Sequence, residues 1–584
     1  MISGNYFEDN PDIRNHLDHF IDWDEVLAEY ENGFEDAATY QKTGNERLAF
    51  APSSKEEALD FYREILRSYG DLCGNEISQI AADMDREGLH FAGGKVTHPE
   101  PMVKLYEKFH EAGLVPMAFR RKVGGTGVPH VIKALASEIN YRADSSMTIA
   151  FGSVGLASIL EMYADPEVVE EWVPKLIDEK YSVTMGLSEP DFGSDLPNVR
   201  TKAELKDGRW LLNGTKRYQT MACGINQYPG VTLALARTGG QGSGARGLSF
   251  FLVEGKDIQI TGLEKKLGLK ASATCEVAYE DAPGILIGHE GHGLSKYVIG
   301  MLNGARLGVS SQGTGMATAA YYEARKYASE RIQFGKPIAE IPAVARMLRR
   351  MEREIAAMRC LMVEAALMVD RYHWRALRAR DTGASIKGDE HIRKWEKLAS
   401  TVTPMAKYYV SEMSNSLIYD ALQVFGGSGF VEEYDLARLY RDVRITNLYD
   451  GTTQIQINAA IGGVISGMSP KGILRQYIDE LIEKAPLDEV GQEHLALFEE
   501  LVELYKGTKT PDKEAYSFEV VETAARLIIG LYLERTALML GAEAGEGRLA
   551  MAREYRVDSL GLAQAARLRL REAFGASAKV PAGV

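Results

Sequence analysis

Residues Val199–Thr220 read VRTKAELKDGRWLLNGTKRYQT. Polar and apolar side chains alternate along this stretch, the period of a half-buried strand, and Asp207-Gly208 and Asn213-Gly214 are hairpin signals. Three more strand-like runs follow, VTLALART from Val231, GLSFFLVEG from Gly247 and CEVAYEDA from Cys275. Together they predict an antiparallel β domain over residues 181–285.

On both sides the period becomes helical. SKEEALDFYREILRSYG carries Ser54 near its start and Gly70 near its end, and PEVVEEWVPKLID has Pro166 in its first turn. These predict an N-terminal helical domain over 54–180. Downstream, ATAAYYEARKYASERIQF and AVARMLRRMEREIAAMRCLMVEAALMVD are long and amphipathic, and predict a C-terminal four-helix bundle over 286–467. The basic run RYHWRALRARDTGASIKGDEH reads as a solvated connector between two of its helices. Loop-like APLDEVG and KGTKTPDKEA precede helices from about Tyr516 to Phe574, an extra helical domain over 468–584. Residues 1–53 are acidic and aromatic and read as an extension wrapping the body. The expected class is α+β.

At 584 residues the chain is too long for one core. Its formal charge of −15 opposes nucleic-acid binding, which needs a basic face. The four cysteines form no CxxC and no zinc spacing, so no metal site is expected and a reducing, cytoplasmic setting is. The start, MISGNYFEDNPD, lacks an apolar signal core. MTIAFGSVGLASILEMY, interrupted by Ser, Gly and Glu, reads as a buried helix rather than a transmembrane segment.

Several motifs allow two readings. GSGARG matches GxGxxG, but strands lie on both sides, so a hairpin loop fits better than a dinucleotide loop. GHEGHG holds His289 and His292 without a third ligand and reads as a turn. MGLSEPDFGSD is either a polar loop or a set of N–H groups and hydroxyls offered to a polar ring or phosphate. ERIQFGKP is either a helix end with favourable cations or a guanidinium placed for a pyrophosphate. QVFGGSGF is a tight turn or a close backbone approach. In NLYDGTTQIQ, Asp450 is a turn former or an isolated functional carboxylate.

In this order the motifs resemble the acyl-CoA dehydrogenase family over roughly residues 54–467. LSEPDFGSD and NGTKRYQT look like its flavin loop and strand, and RIQFGKP, QVFGGSGF and YDGTTQIQ like its C-terminal signatures. The resemblance implies FAD as cofactor and an acyl-CoA thioester as substrate. By it, Leu187 and Ser188 contact the flavin ring and Ser194 the CoA ester. Tyr218, where the family usually has Trp, covers the flavin, with Thr220 as a nearby hydroxyl. Arg331, Gln333, Phe334, Gln423, Gly426 and Gly427 reach the cofactor of a neighbouring subunit, which implies a homo-oligomer, a dimer favoured by the long C-terminal extension. Asn303 and Arg306 lie where pantetheine and nearby groups bind, Tyr449 and Gly451 flank the thioester, and Thr452 and Gln454 line the pyrophosphate or adenosine region.

The implied reaction removes an α proton and transfers a β hydride to flavin N5. It needs donors at the thioester oxygen and a positioned base. The family's N–H donor falls on Asp450, whose carboxylate is then the base in place of the usual Glu; Gly304 and Ala305, at the alternative base position, carry no acid. Electrons would pass to an electron-transferring flavoprotein. Two other functions remain open at this level. One is a flavin oxidase of the same fold on a non-CoA substrate, as in nitroalkane oxidases, which the resemblance pairs with Asp. The other is a catalytically silent flavin-bearing assembly factor.

Overall fold

The computed structural model describes residues 1–240, 242–509 and 511–575. The seven-stranded sheet comprises β1 (Ser182–Gly186), β2 (Lys202–Lys206), β3 (Arg209–Thr220), β4 (Gly230–Arg237), β5 (Leu248–Glu254), β6 (Gln259–Leu263) and β7 (Thr274–Leu286). The hairpin read from Asp207-Gly208 joins β2 to β3, with Lys206 opposite Arg209. The second signal, Asn213-Gly214, is no hairpin: it lies inside β3, where the register against β7 shifts between Leu212 and Gly214. Gly214 has φ 149°, and a Cβ there would meet Thr201, so the glycine marks a bulge rather than a turn. The longer ladders are antiparallel as expected, but β1 pairs with β4 in parallel, Ser182 opposite Gly230. β1 arrives from a helix rather than a hairpin, so nothing forces it to run against its neighbour. GSGARG lies between the antiparallel strands β4 and β5.

Helix α1 (Lys55–Leu72) starts where Ser54 accepts the Glu57 N–H. Gly70 does not end it. The backbone continues through a wide turn at Cys73–Ile77 into a further helix that stops at Gly88, φ 66°. Gly70 serves the N-terminal extension: Tyr6 donates to its carbonyl at 3.0 Å, and a Cβ on Gly70 would stand 2.1 Å from Asn5 Oδ1. The extension therefore packs into the body, as its composition suggested. Helix α2 (His130–Ala143) follows, and then the apolar segment Ser145–Tyr163. That segment is long and apolar enough to cross a membrane, but 67% of it is buried and a 3-10 stretch at Ser153–Ser158 interrupts it.

The bundle comprises α3 (Ile299–Glu330), α4 (Pro342–Asp381), α5 (Glu390–Phe425) and α6 (Thr453–Gly467). The expected solvated connector proves to be mostly helix. Residues 371–381 are the last turns of α4, and only 382–389 link the two helices. Its cations are anchored rather than solvated: Arg371 pairs with Glu25 at 2.6 Å, Arg375 with Glu29 at 3.1 Å, and Arg378 also reaches Glu29. A charge run facing an acidic extension mimics a solvated one in sequence. Beyond the bundle, α7 (Ser517–Met539) and α8 (Glu546–Gly575) pack on each other and on α4. Within the expected loop at 506–515, Thr510 lies outside the described residues, as do positions 576–584 of the expected last domain.

Candidate active site

A cleft of about 1750 Å³ opens where the β domain, α2 and the bundle meet. Leu187, Ser188 and Ser194 reach it from the loop after β1, and Tyr218 and Thr220 from the end of β3. The loop is pinned from below. Lys216 Nζ donates to Leu187 O and Glu189 Oε1, both at 3.0 Å, and Glu189 also accepts the Arg200 and Thr201 N–H groups. Lys216 is fully buried, and that burial pulls its ammonium down to about 8 despite Glu189. The β3–β7 register shifts again between Lys216 and Gln219. Tyr218 sits in this second bulge at φ 60°, 56% exposed on the cleft wall, with the Arg217 guanidinium 4.9 Å from its ring centre.

The opposite wall is built from α3 and the turn before α6. Asn303, Tyr449, Asp450, Gly451 and Thr452 all line it. Arg306 does not itself line the cleft and donates to Asn303 Oδ1 at 2.8 Å from behind. Two buried side chains hold the turn. Lys407 Nζ donates to Tyr449 O at 2.9 Å and Gly451 O at 2.5 Å, and Gln456 Nε2 donates to Asp450 O and Gly451 O, both at 2.9 Å. All three carbonyls of the turn are thereby taken. The Asp450 N–H has no partner among the described residues. Tyr449 donates its hydroxyl to the buried Gln312.

Asp450 adopts φ 52°, and Gly451 follows at φ 87°. Burial raises the Asp450 carboxyl above its ordinary value, while Lys407 and Arg306 pull it back only in part. Burial in turn lowers Lys407 to about 8 and Arg306 to about 10. Gly304 and Gly308, one turn apart on α3, would each place a Cβ in open space.

The remaining expected residues lie elsewhere. Arg331 ends α3, Gln333 pairs with Lys336 in a small hairpin, and Phe334 at its tip is 93% exposed. Gln423, Gly426 and Gly427 are exposed at the end of α5. Tyr327 brings the two groups side by side by stacking on Phe425 at 4.1 Å. None of these lines the cleft of its own chain. Gln454 does not line it either: its amide is turned along the exposed face of α6 to Asn458. Sequence reading missed Lys216, Glu189, Lys407 and Gln456. Lys407 had a readable signal, a single lysine inside the apolar run VTPMAKYYV.

The whole body of the chain has relatives. Models of the acyl-CoA dehydrogenase N-terminal, middle and C-terminal domains match residues 60–180, 184–282 and 291–464. The 3-methylmercaptopropionyl-CoA dehydrogenase of Ruegeria pomeroyi is 33% identical over 434 residues, 70% of this chain and 71% of that protein. The chain belongs to the acyl-CoA dehydrogenase family. The CarC subunit of the caffeyl-CoA reductase–Etf complex of Acetobacterium woodii is 30% identical over 62% of this chain and 89% of its own. The Bacillus anthracis acyl-CoA dehydrogenase solved with FAD has the same fold, with TM-score 0.73 at 22% identity over 88% of this chain and 89% of that one. As an acyl-CoA dehydrogenase, the protein is an FAD-dependent oxidoreductase acting on acyl-CoA. The residues fit the cofactor. The cleft exceeds the roughly 300–1,000 Å³ of a single small-molecule site, so it has room for a dinucleotide and an acyl group. The N-terminus of α6 also opens into it at Thr452, a favourable end for phosphate.

Proposed function

We propose that Asp450 is the base that takes the α proton of a bound acyl-CoA thioester, and that its own N–H binds the thioester oxygen. The observation that carries this reading is the pairing, on one residue of the cleft wall, of a free N–H with a carboxyl raised by burial. When bound, FAD supplies the acceptor for the β hydride. Leu187, Ser188, Tyr218 and Thr220 hold the flavin on the β-domain side, and Thr452 faces its phosphates. Ser194, Asn303 and Arg306 receive the CoA portion, with Tyr449 and Gly451 beside the thioester. Lys407 and Gln456 hold the turn rigid, so that the N–H keeps its direction while charge develops on the oxygen.

The exposed group around Arg331, Gln423, Gly426 and Gly427 completes the cofactor site of a second copy, which makes the working unit a homo-oligomer with a dimer favoured. Electrons leave to an electron-transferring flavoprotein, a reading supported by the likeness to a subunit of an Etf complex. Unpaired cysteines support a reducing, cytoplasmic setting. The test is an anaerobic titration of the yellow holoprotein with saturated acyl-CoA thioesters. Bleaching of the flavin band by at least one ester is expected, and a panel that binds without bleaching would overturn the reading.

A further inference from the structure

The cleft continues past Asp450 along α2. His130, Lys133, Ala134, Ser137 and Tyr141 line it at helical spacing, and Tyr141 lies within electrostatic reach of Asp450. Lys133 is eight residues from Tyr141, so at about 1.5 Å per residue it stands about 12 Å deeper. Gly152 faces the same channel and would place a Cβ in open space, so no side chain closes it there.

The far end is polar. Lys133 Nζ has one hydrogen bond, to Ala118 O at 3.3 Å, and lies 5.1 Å from the Trp374 ring centre. No carboxylate lies within ion-pair distance of it among the described residues. The two acids whose charge reaches it, Asp370 and Glu161, have other hydrogen-bond partners. Asp370 accepts from the His130 and Val131 N–H groups and from Trp374 Nε1, and also contacts His130 Nδ1. Glu161 is paired with Arg120. His373, 4.7 Å from His130 ring to ring, also lines the cleft. Burial pushes both imidazoles below their ordinary range, so they face the cleft neutral. Lys133 is half-buried, and Asp370 and Glu161 support its ammonium only from beyond ion-pair distance, so burial still pulls it down to about 8. A ligand carboxylate brought into direct contact would offset that cost.

We propose that this pocket receives a carboxylate at the far end of the acyl group, so that the substrate is an ω-carboxyacyl-CoA whose second acid pairs with Lys133. The inference rests on the dehydrogenase reading for its placement of the thioester at Asp450. Desaturation at the other end leaves the carboxylate chemically unchanged. It acts as an anchor, and the depth of Lys133 sets the preferred chain length.

The test uses holoprotein and two matched pairs of probes. Dodecanedioyl-CoA and dodecanoyl-CoA report flavin reduction, and the corresponding non-reactive CoA thioethers report binding by calorimetry. Lys133→Met should weaken binding of the carboxylated thioether and lower kcat/KM for dodecanedioyl-CoA by ten- to a hundredfold, the scale of a lost charge-assisted hydrogen bond. Both values for the unsubstituted chain should stay within about twofold, since Met keeps the volume and the fold. Equal losses on both chains, or none on the carboxylated one, would overturn the Lys133 pocket while leaving dehydrogenation standing. Selective binding of the carboxylated thioether without flavin reduction by either ester would support the pocket and, if the wider panel of saturated esters also binds without bleaching, overturn dehydrogenation.

Discussion

Why the turn before α6 carries aspartate has an answer in its backbone. At φ 52°, residue 450 lies in the left-handed region, where Asp and Asn are enriched among non-glycine residues. The short acid suits that conformation, and the turn is then locked by Lys407 and Gln456. Asp450→Glu should fit the backbone less well and reach further, shifting the kcat/KM ratio toward slim straight-chain esters over branched ones. A titration consequence follows from the raised carboxyl. The folded state holds its proton more tightly than the unfolded one, so Asp450 stabilises the fold below its ordinary value of 3.8 and loses that contribution as pH rises through the folded value. Asp450→Asn should therefore match wild type in acid and become the more stable protein as pH rises, in parallel chemical denaturations. The rate of flavin reduction should rise over the same range as the base ionises. That this turn carries a lone acid was readable in sequence. Its φ and its unpaired N–H were not, because both depend on Lys407 and Gln456 arriving from two other helices.

Among the elements, the strands were legible because β2, β3, β4 and β5 keep an alternating or continuous apolar pattern bounded by turns. What misled were residues with two uses. Gly70 looked like a helix end and is a crossing point, Gly214 looked like a hairpin and is a bulge, and the arginines of α4 looked solvated and are paired with the extension. Gly70→Ala tests the first of these. Its Cβ would press on Asn5 and on the Phe7 backbone, so a loss of about 1–3 kcal/mol is expected, with faster proteolysis within the first ten residues. A second test concerns the loop after β1. Glu189→Gln leaves Lys216 buried without its counter-charge and should cost about 3–5 kcal/mol in chemical denaturation, with weaker FAD retention.

Across the whole molecule, Asp12 ties three parts together. It comes from the N-terminal extension and contacts Arg359 of α4 and Arg548 of α8. Burial alone would raise its carboxyl, but the two guanidiniums hold it well below the ordinary range. Its contribution is present above the ordinary carboxylate range and is lost as pH falls through the folded value. Asp12→Asn should therefore lower stability near neutrality and narrow the gap to wild type in strong acid, read from thermal unfolding at several pH values. Such long-range links leave no sequence pattern: the partners are separated by 347 and 536 positions. At the same scale, light scattering should give a homo-oligomer, and Arg331→Ala should weaken FAD binding about tenfold or more, as a charge-assisted contact is lost from the second subunit's site.

The central claim is that Asp450 is the base, and the most direct measurement is anaerobic stopped-flow reduction of the flavin by a saturated acyl-CoA in Asp450→Ala. Retained FAD and retained thioester binding are expected, with a reduction rate lower by on the order of 10² to 10⁴. Reduction at the wild-type rate would mean that Asp450 only shapes the turn and that the proton goes elsewhere.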